Sequence, residues 1–169
     1  MEEIKLNIDE KGIVTSNGIR NIILTTAYFT GIQKTLEEII GPDGAASCLY
    51  RAGFQEGMKL AKVFMEEVGT AGKDVFNKYV SYLSKRGWGI LTVKEYSDTK
   101  VVIVNTNSIA SEFEKRDIPS CHSMRGILGG IMQAVVDPEQ KKYRIHVEEV
   151  KCVAKGDEHC EFVITLIER

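Results

Sequence analysis

The stretch YRIHVEEVKCVAKGDEHCEFVITLI, residues 143–167, decides the fold. Its two ends are rich in β-branched and apolar residues, and Lys155-Gly156-Asp157 between them is turn chemistry, so the stretch reads as a β-hairpin. Cys152 and Cys160 are equidistant from Gly156. A turn centred there sets them across from each other, where facing Cβ atoms lie about 4.5–5.5 Å apart. Cys160 shares its strand face with Phe162, Ile164 and Leu166, so both thiols are expected to point inward. In the first strand Tyr143, Ile145 and Val147 alternate on one face, whereas Val150 and Cys152 have the opposite parity. Keeping every apolar residue inward requires one extra residue, so a β-bulge is expected at Glu148-Glu149.

Outward from this hairpin the pattern changes twice. Ile90–Tyr96 and Val101–Asn107 flank Ser97-Asp98-Thr99-Lys100 and read as a second hairpin. Between the hairpins, Ser108–Pro119 is polar and reads as a loop with about one helical turn. Ser120 is then placed to cap a helix over 121–135, whose Met124, Ile127, Leu128, Ile131, Met132 and Val135 match helical spacing. Asp137-Pro138 ends it. The first half of the chain is helical. Phe29, Ile32, Leu36, Ile39 and Ile40 mark one helix closed by Gly41-Pro42, and a second runs over 44–68 with Leu49, Ala52, Gly53, Leu60, Ala61, Phe64 and Val68 on its buried stripe. Gly53 and Gly57 sit one turn apart and let another element approach the backbone. The glycines of GILGG at 126–130 do the same; the stretch is not GxGxxG and follows no strand, so it is no dinucleotide site. A third helix is expected within 72–86 through Val75, Phe76, Tyr79, Val80 and Leu83, and short strands at 3–7 and 13–16. Helices first and antiparallel strands later define an α+β class: N-terminal helices packed on a C-terminal antiparallel sheet of about four strands, in one domain over 1–169.

Composition narrows the function classes. A chain of 169 residues, 43% hydrophobic and 27% charged, can bury a core without staples. Its net charge of −2 carries no overall electrostatic footprint for nucleic acid. No apolar run is long enough to span a bilayer. The opening MEEIKLNIDEKG is acidic and alternating, unlike a signal peptide. Four cysteines in that setting are expected to be thiols or metal ligands rather than a disulfide framework, which points to the cytoplasm.

The thiols carry the chemistry. Two thiolates on one zinc, each bound at about 2.3 Å, stand roughly 3.8 Å apart, which the pairing of Cys152 with Cys160 allows. Cys121 stands at the start of the helix over 121–135, where the helix terminus favours thiolate. The fourth position is open to Glu148, Glu149 or the neighbouring His122. Three cysteines and a glutamate would close a structural zinc site and clip helix to hairpin. The plain alternative is that the strand cysteines are small buried hydrophobes, and a Cys152–Cys160 disulfide is a third, disfavoured by compartment. Cys48 reads as core, and His146 and His159 as surface strand residues.

Glu149-x2-Cys152-x7-Cys160, with Gly156 in the turn and Phe162 beyond, resembles the C-terminal signature of the 4-vinyl reductase-like (hydrocarbon-binding) domain family. CHSMRGILGGIMQAVV is similar to that family's helix beginning with a cysteine, and RNIILTTAYFTGIQKTL…CLYRAGFQEGMKLA to its helical half. The resemblance covers about residues 19–167, with Asp137–Lys142 as a loop insertion. It implies zinc ligands Cys121, Glu149, Cys152 and Cys160. It also implies a fold shared with transport protein particle subunits and the binding of phenolic or hydrocarbon compounds. The expected function is therefore the binding of an apolar or aromatic small molecule in an internal pocket beside a structural zinc, as a sensor or carrier. The cavity is expected between the helices and the antiparallel sheet; the apolar stripe Phe64, Val68, Phe76, Tyr79 and Leu83 motivates an apolar ligand, no short motif marks the pocket's lining, and Trp88 reads equally as a candidate wall or as ordinary core. A homodimer formed through Gly53-x3-Gly57 is expected, with no direct nucleic-acid partner. The rival readings are a reductase or pigment-processing enzyme and a tethering or scaffold subunit.

Overall fold

The structure is a computed structural model that describes residues 5–16, 18–69 and 71–169. Short strands β1 (Asn7–Ile8), β2 (Val14–Ser16) and β3 (Ile19–Asn21) form a small antiparallel sheet in the order β1-β2-β3. Helix α1 (Thr26–Val68) and helix α2 (Lys73–Lys85) follow, then strands β4 (Ile90–Tyr96) and β5 (Lys100–Thr106). Helix α3 (His122–Val136) leads into strands β6 (Tyr143–Lys151) and β7 (Cys160–Glu168). The main sheet is antiparallel throughout, in the order β4-β5-β7-β6. The expected α+β arrangement is therefore the observed one. The small sheet adds β3, which the sequence pattern did not single out; of the strand expected over 3–7, residues 3 and 4 lie outside the described residues.

Packing follows the apolar periodicities. Helices α2 and α3 contact the main sheet, and α1 packs along α3. Helix α3, held between α1 and β6, is buried on nearly every side, as its apolar composition all round requires. Its partner face on α1 runs through Ala45, Leu49, Gly53 and Gly57, one turn apart and all buried. Ala52 belongs to the opposite side and is exposed, contrary to the expected stripe. The two helices meet backbone to backbone. A Cβ on Gly53 would lie 2.2 Å from the Ser123 carbonyl oxygen, and one on Gly57 2.3 Å from that of Ile127. From the other side, a Cβ on Gly126 or Gly130 would lie 2.1 Å from the carbonyl oxygen of Tyr50 or Phe54. The glycine pair of α1 is thus used inside the chain and offers no surface to a second copy.

The two predicted helices are both present and meet at a kink within α1. Gly41 adopts φ 77° and ψ 163°, and Pro42 restarts the helix at once, so α1 is two arms joined at a break. Thr25 caps the first arm by accepting the Tyr28 N–H, and Gly69 closes the second in the left-handed region. The first arm turns its apolar stripe outward: Ile32, Ile39 and Ile40 are exposed, whereas Thr30 and Gln33 are buried. Glu37, on the inner side, accepts from Arg116 at 2.8 Å, and the Arg116 N–H donates to the Ala154 carbonyl at 2.9 Å. This chain of contacts ties the arm to the loop after β5 and to the turn between β6 and β7.

Candidate functional site

The cysteines converge because the terminal hairpin ends in a tight turn. Strand β6 stops at Lys151, paired with Glu161, and Val153–Lys155 then form a 3-10 turn closed by Gly156 at φ 101°. Asp157 accepts the Cys152 N–H at 2.8 Å and fixes the turn. The register shift falls between Glu149 and Lys151, at Val150, rather than at Glu148-Glu149 as expected. The expectation failed because it kept Val150 inward. Val150 is 41% exposed, and strict alternation through Ile145 and Val147 carries Glu149 into the interior before the bulge resets the parity for Cys152.

Cys121 arrives from the other side, at the N-terminal boundary of α3 in place of the expected Ser120, and its side chain makes no capping bond. The Glu149 carboxylate performs that task, with Oε2 accepting the Cys121 N–H at 3.0 Å. Cys121, Glu149, Cys152 and Cys160 are all buried, and one donor atom from each lies within 4.8 Å of all the others. The Cys121 and Cys160 sulfurs are 3.6 Å apart. The Val153 N–H donates to the Cys160 Sγ at 3.4 Å, and the Ser108 hydroxyl stands 3.8 Å from the Cys121 Sγ.

The electrostatics of the cluster favour a cation. Hydrogen bonds from the Cys121 and Cys152 thiols hold the Cys160 thiol well below its ordinary pKa, and the same sharing pushes Cys121 well above it. Burial raises the Glu149 carboxyl to about 8. Its Oε1 is buried without a hydrogen-bond partner. Three sulfurs and one orphaned carboxylate oxygen suit a thiophilic divalent cation, whose charge would favour the deprotonated form of every donor. The cluster could hold a metal ion.

The remaining candidates separate from it. Glu148 is exposed on the other face of β6. His122 is buried, with both ring nitrogens unpartnered and a pKa lowered by burial, yet it lies outside the cluster. Cys48 is exposed rather than core, because Ala45 and Leu49 take the inward positions and Cys48 lies about 100° around the helix from Leu49. His146 is exposed as expected, and His159 is half-buried against Glu161.

The apolar stripe that motivates the ligand class is core, with Phe64, Phe76, Tyr79 and Leu83 buried and Val68 half-buried. Phe64 meets Tyr79 and Tyr82 edge to face, with ring centroids 5.3 and 5.0 Å apart, and the interlocked rings fill the space along that stripe. An apolar chamber lies elsewhere, against the cluster. It is walled by Phe29, Trp88, Ile109, Phe113, Met124 and Cys121 itself, and its free volume is about 10 Å³. Phe29 and Trp88 meet edge to face at 5.3 Å and also line, with Ile109, an open cleft of about 660 Å³ beneath Ile22, Ile23 and Leu24. Trp88, read as a candidate wall or as core, lines both spaces. Phe29, Gln33 and Ser108 were not singled out as site residues. The i, i+4 spacing of Phe29 and Gln33 on an otherwise outward-facing arm was the available signal.

Comparison with known proteins gives the arrangement a context. Residues 101–166 match the V-4-R domain, and residues 1–94 match a domain of unknown function (DUF5943). An uncharacterised protein of Methanocaldococcus jannaschii is 21% identical over 128 residues, 73% of this chain and 66% of that protein, so the match spans just under two thirds of the relative. Among solved structures, the phenol-responsive sensory domain of the transcription activator PoxR, with phenol, superposes with a TM-score of 0.83 at 19% identity, over 95% of this chain and 84% of that one. A vinyl-4-reductase family protein of M. jannaschii gives 0.61 at 18% identity over 88% and 85%. A trafficking protein particle complex subunit 3 of Naegleria fowleri, covalently bound to palmitic acid, gives 0.55 at 18% identity over 84% and 92%. At such identities the likeness is one of fold.

Proposed function

The chain belongs to the DUF5943 family through residues 1–94, and its residues 101–166 match the V-4-R domain; from that premise we propose that it binds an apolar or aromatic small molecule beside a structural zinc. It would serve as a cytoplasmic sensor or carrier. The observation that carries the reading is that Cys121 belongs both to the four-donor cluster and to the wall of the apolar chamber. Ligand and metal are then adjacent, and an event in one is mechanically close to the other. The shared fold with a phenol-responsive domain supports the ligand class.

Cys121, Glu149, Cys152 and Cys160 would hold the zinc. Three thiolates and a carboxylate fill its four tetrahedral positions, which favours a structural role joining α3 to the terminal hairpin. The chamber at about 10 Å³ holds no more than one water, whereas a cavity of about 150 Å³ admits benzene. Entry therefore requires the Phe29 and Trp88 rings to part, merging the chamber with the cleft outside.

That requirement supplies the test. Trp88 is the one tryptophan in the chain, so its emission reports the chamber directly. Titration with phenol, ethylbenzene and a C16 fatty acid should shift Trp88 emission for at least one of them. Calorimetry should show a negative heat-capacity change. Elemental analysis of the same sample should find about one zinc per chain, lost in Cys152→Ser and Cys160→Ser and kept in Cys48→Ala. No emission change and no heat across the panel would sink the binding reading in favour of a scaffold. Consumption of a ligand on adding a nicotinamide or flavin would replace it with the reductase.

A further inference from the structure

Lined by none of the chamber's residues, an open groove of about 550 Å³ lies between α1, α3 and the edge strand β6. Its lining is unusual for this chain. Four of the seven arginines, Arg51, Arg125, Arg144 and Arg169, line it, and no lysine does. None of the four pairs with a carboxylate among the described residues, although acidic residues outnumber basic ones 24 to 22. Two of them are anchored by backbone. The Arg125 Nε donates to the Val147 carbonyl at 3.2 Å, and the Arg169 Nε to that of Tyr143 at 3.4 Å, leaving the terminal guanidinium nitrogens for other acceptors. Tyr50 and Phe54, stacked at 6.1 Å and 29°, supply aromatic surface, with the Arg125 guanidinium 5.8 Å above the Tyr50 ring.

We propose that this groove is a second binding site, for a small flat aromatic anion carrying carboxylate or phosphate oxygens. Each feature selects one part of such a molecule. Guanidinium groups are planar forks that take carboxylate or phosphate oxygens two at a time, which lysine cannot match, and the exclusion of lysine fits that use. Aromatic side chains beside a guanidinium accept a flat ring by stacking. The volume falls in the usual range of about 300–1,000 Å³ for small-molecule sites. An uncharged phenol or hydrocarbon would leave the four charges unanswered, so this site and the chamber discriminate between neutral and anionic aromatics.

Calorimetric titration of the full chain tests the assignment with isophthalate as the carboxylate source and adenosine monophosphate as the phosphate source. Inorganic phosphate is the bare anion and phenol the bare ring. At least one of the first two should bind about tenfold more tightly than inorganic phosphate, and which one identifies the source. Its affinity should weaken as salt is raised, because the guanidinium contacts are screened. Arg51→Ala and Arg144→Ala, both at exposed positions, should each weaken binding about tenfold, whereas Arg20→Ala should not. Equal affinity for inorganic phosphate would reduce the groove to a diffuse basic patch and overturn the proposal. So would binding unaffected by both groove substitutions, or no binding at all. Salt-sensitive self-association lost in Arg144→Ala, without ligand binding, would reassign the groove to a second copy.

Discussion

Glu149 serves two elements with its two oxygens. Oε2 takes the N–H at the start of α3, and Oε1 stands, buried and unpartnered, among three sulfurs. Glu149→Gln keeps an acceptor for the helix and removes the charge. The protein should therefore fold normally and lose zinc affinity by at least the roughly 10–100-fold that even outer-shell partners command, measured by chelator competition. A second orphan is Tyr79, whose hydroxyl is fully buried in the aromatic core without a partner. Deleting an unsatisfied buried hydroxyl should stabilise, so Tyr79→Phe should gain about 1 kcal/mol and raise Tm by about 2–4 °C in thermal denaturation. The sequence showed the thiols at this scale, because Gly156 sets Cys152 and Cys160 symmetrically and Cys121 opens an apolar-periodic helix. It did not show that Val150 is the residue turned outward, since apolar character alone cannot say which member of a mixed-parity strand yields. Nor did it show Cys48 on the surface; a cysteine amid apolar neighbours looks buried until the helix phase is fixed by Ala45 and Leu49.

The crossing of α1 and α3 sets the tolerance of the helices to change. At Gly126 and Gly130 an added methyl would enter the backbone of α1, where no side chain can move aside. Gly126→Ala and Gly130→Ala should each cost about 1–3 kcal/mol or more by overpacking. Gly31→Ala should instead stabilise by about 0.4–1 kcal/mol, because nothing lies within 4 Å of its added Cβ and the position is helical. Chemical denaturation of the three variants side by side tests the contrast. The elements themselves were largely legible, since 3.6-residue and two-residue periodicities are local. The division of the first helical stretch at Gly41-Pro42 was legible as well, because a glycine in the left-handed region followed by a proline interrupts the helix where the sequence announces a stop.

At the scale of the molecule the outstanding feature is apolar surface left open. Tyr28, Ile32 and Ile39, at 60%, 39% and 72% exposure, run along the outer side of the first arm of α1. We expect a homodimer to cover this stripe, in place of the glycine face that α3 occupies. Sedimentation at micromolar concentration should show a dimer, and Ile39→Glu should shift it to monomer without changing the zinc content. Which surface pairs was not readable in advance, because an apolar stripe at helical spacing looks the same whether it faces a core or a neighbour. The arginine groove was equally hidden, since its four arginines come from four separate places in the chain and meet only in the fold. The break at Gly41 gives this arrangement a leverage that neither face has alone. Phe29, at the chamber mouth, stands twelve residues from the break, about 18 Å along the helix, so a tilt of about 10° there swings it by about 3 Å. Whatever wedges the chamber open pushes on the far end of a stiff rod, and the opposite side of that rod carries the apolar stripe.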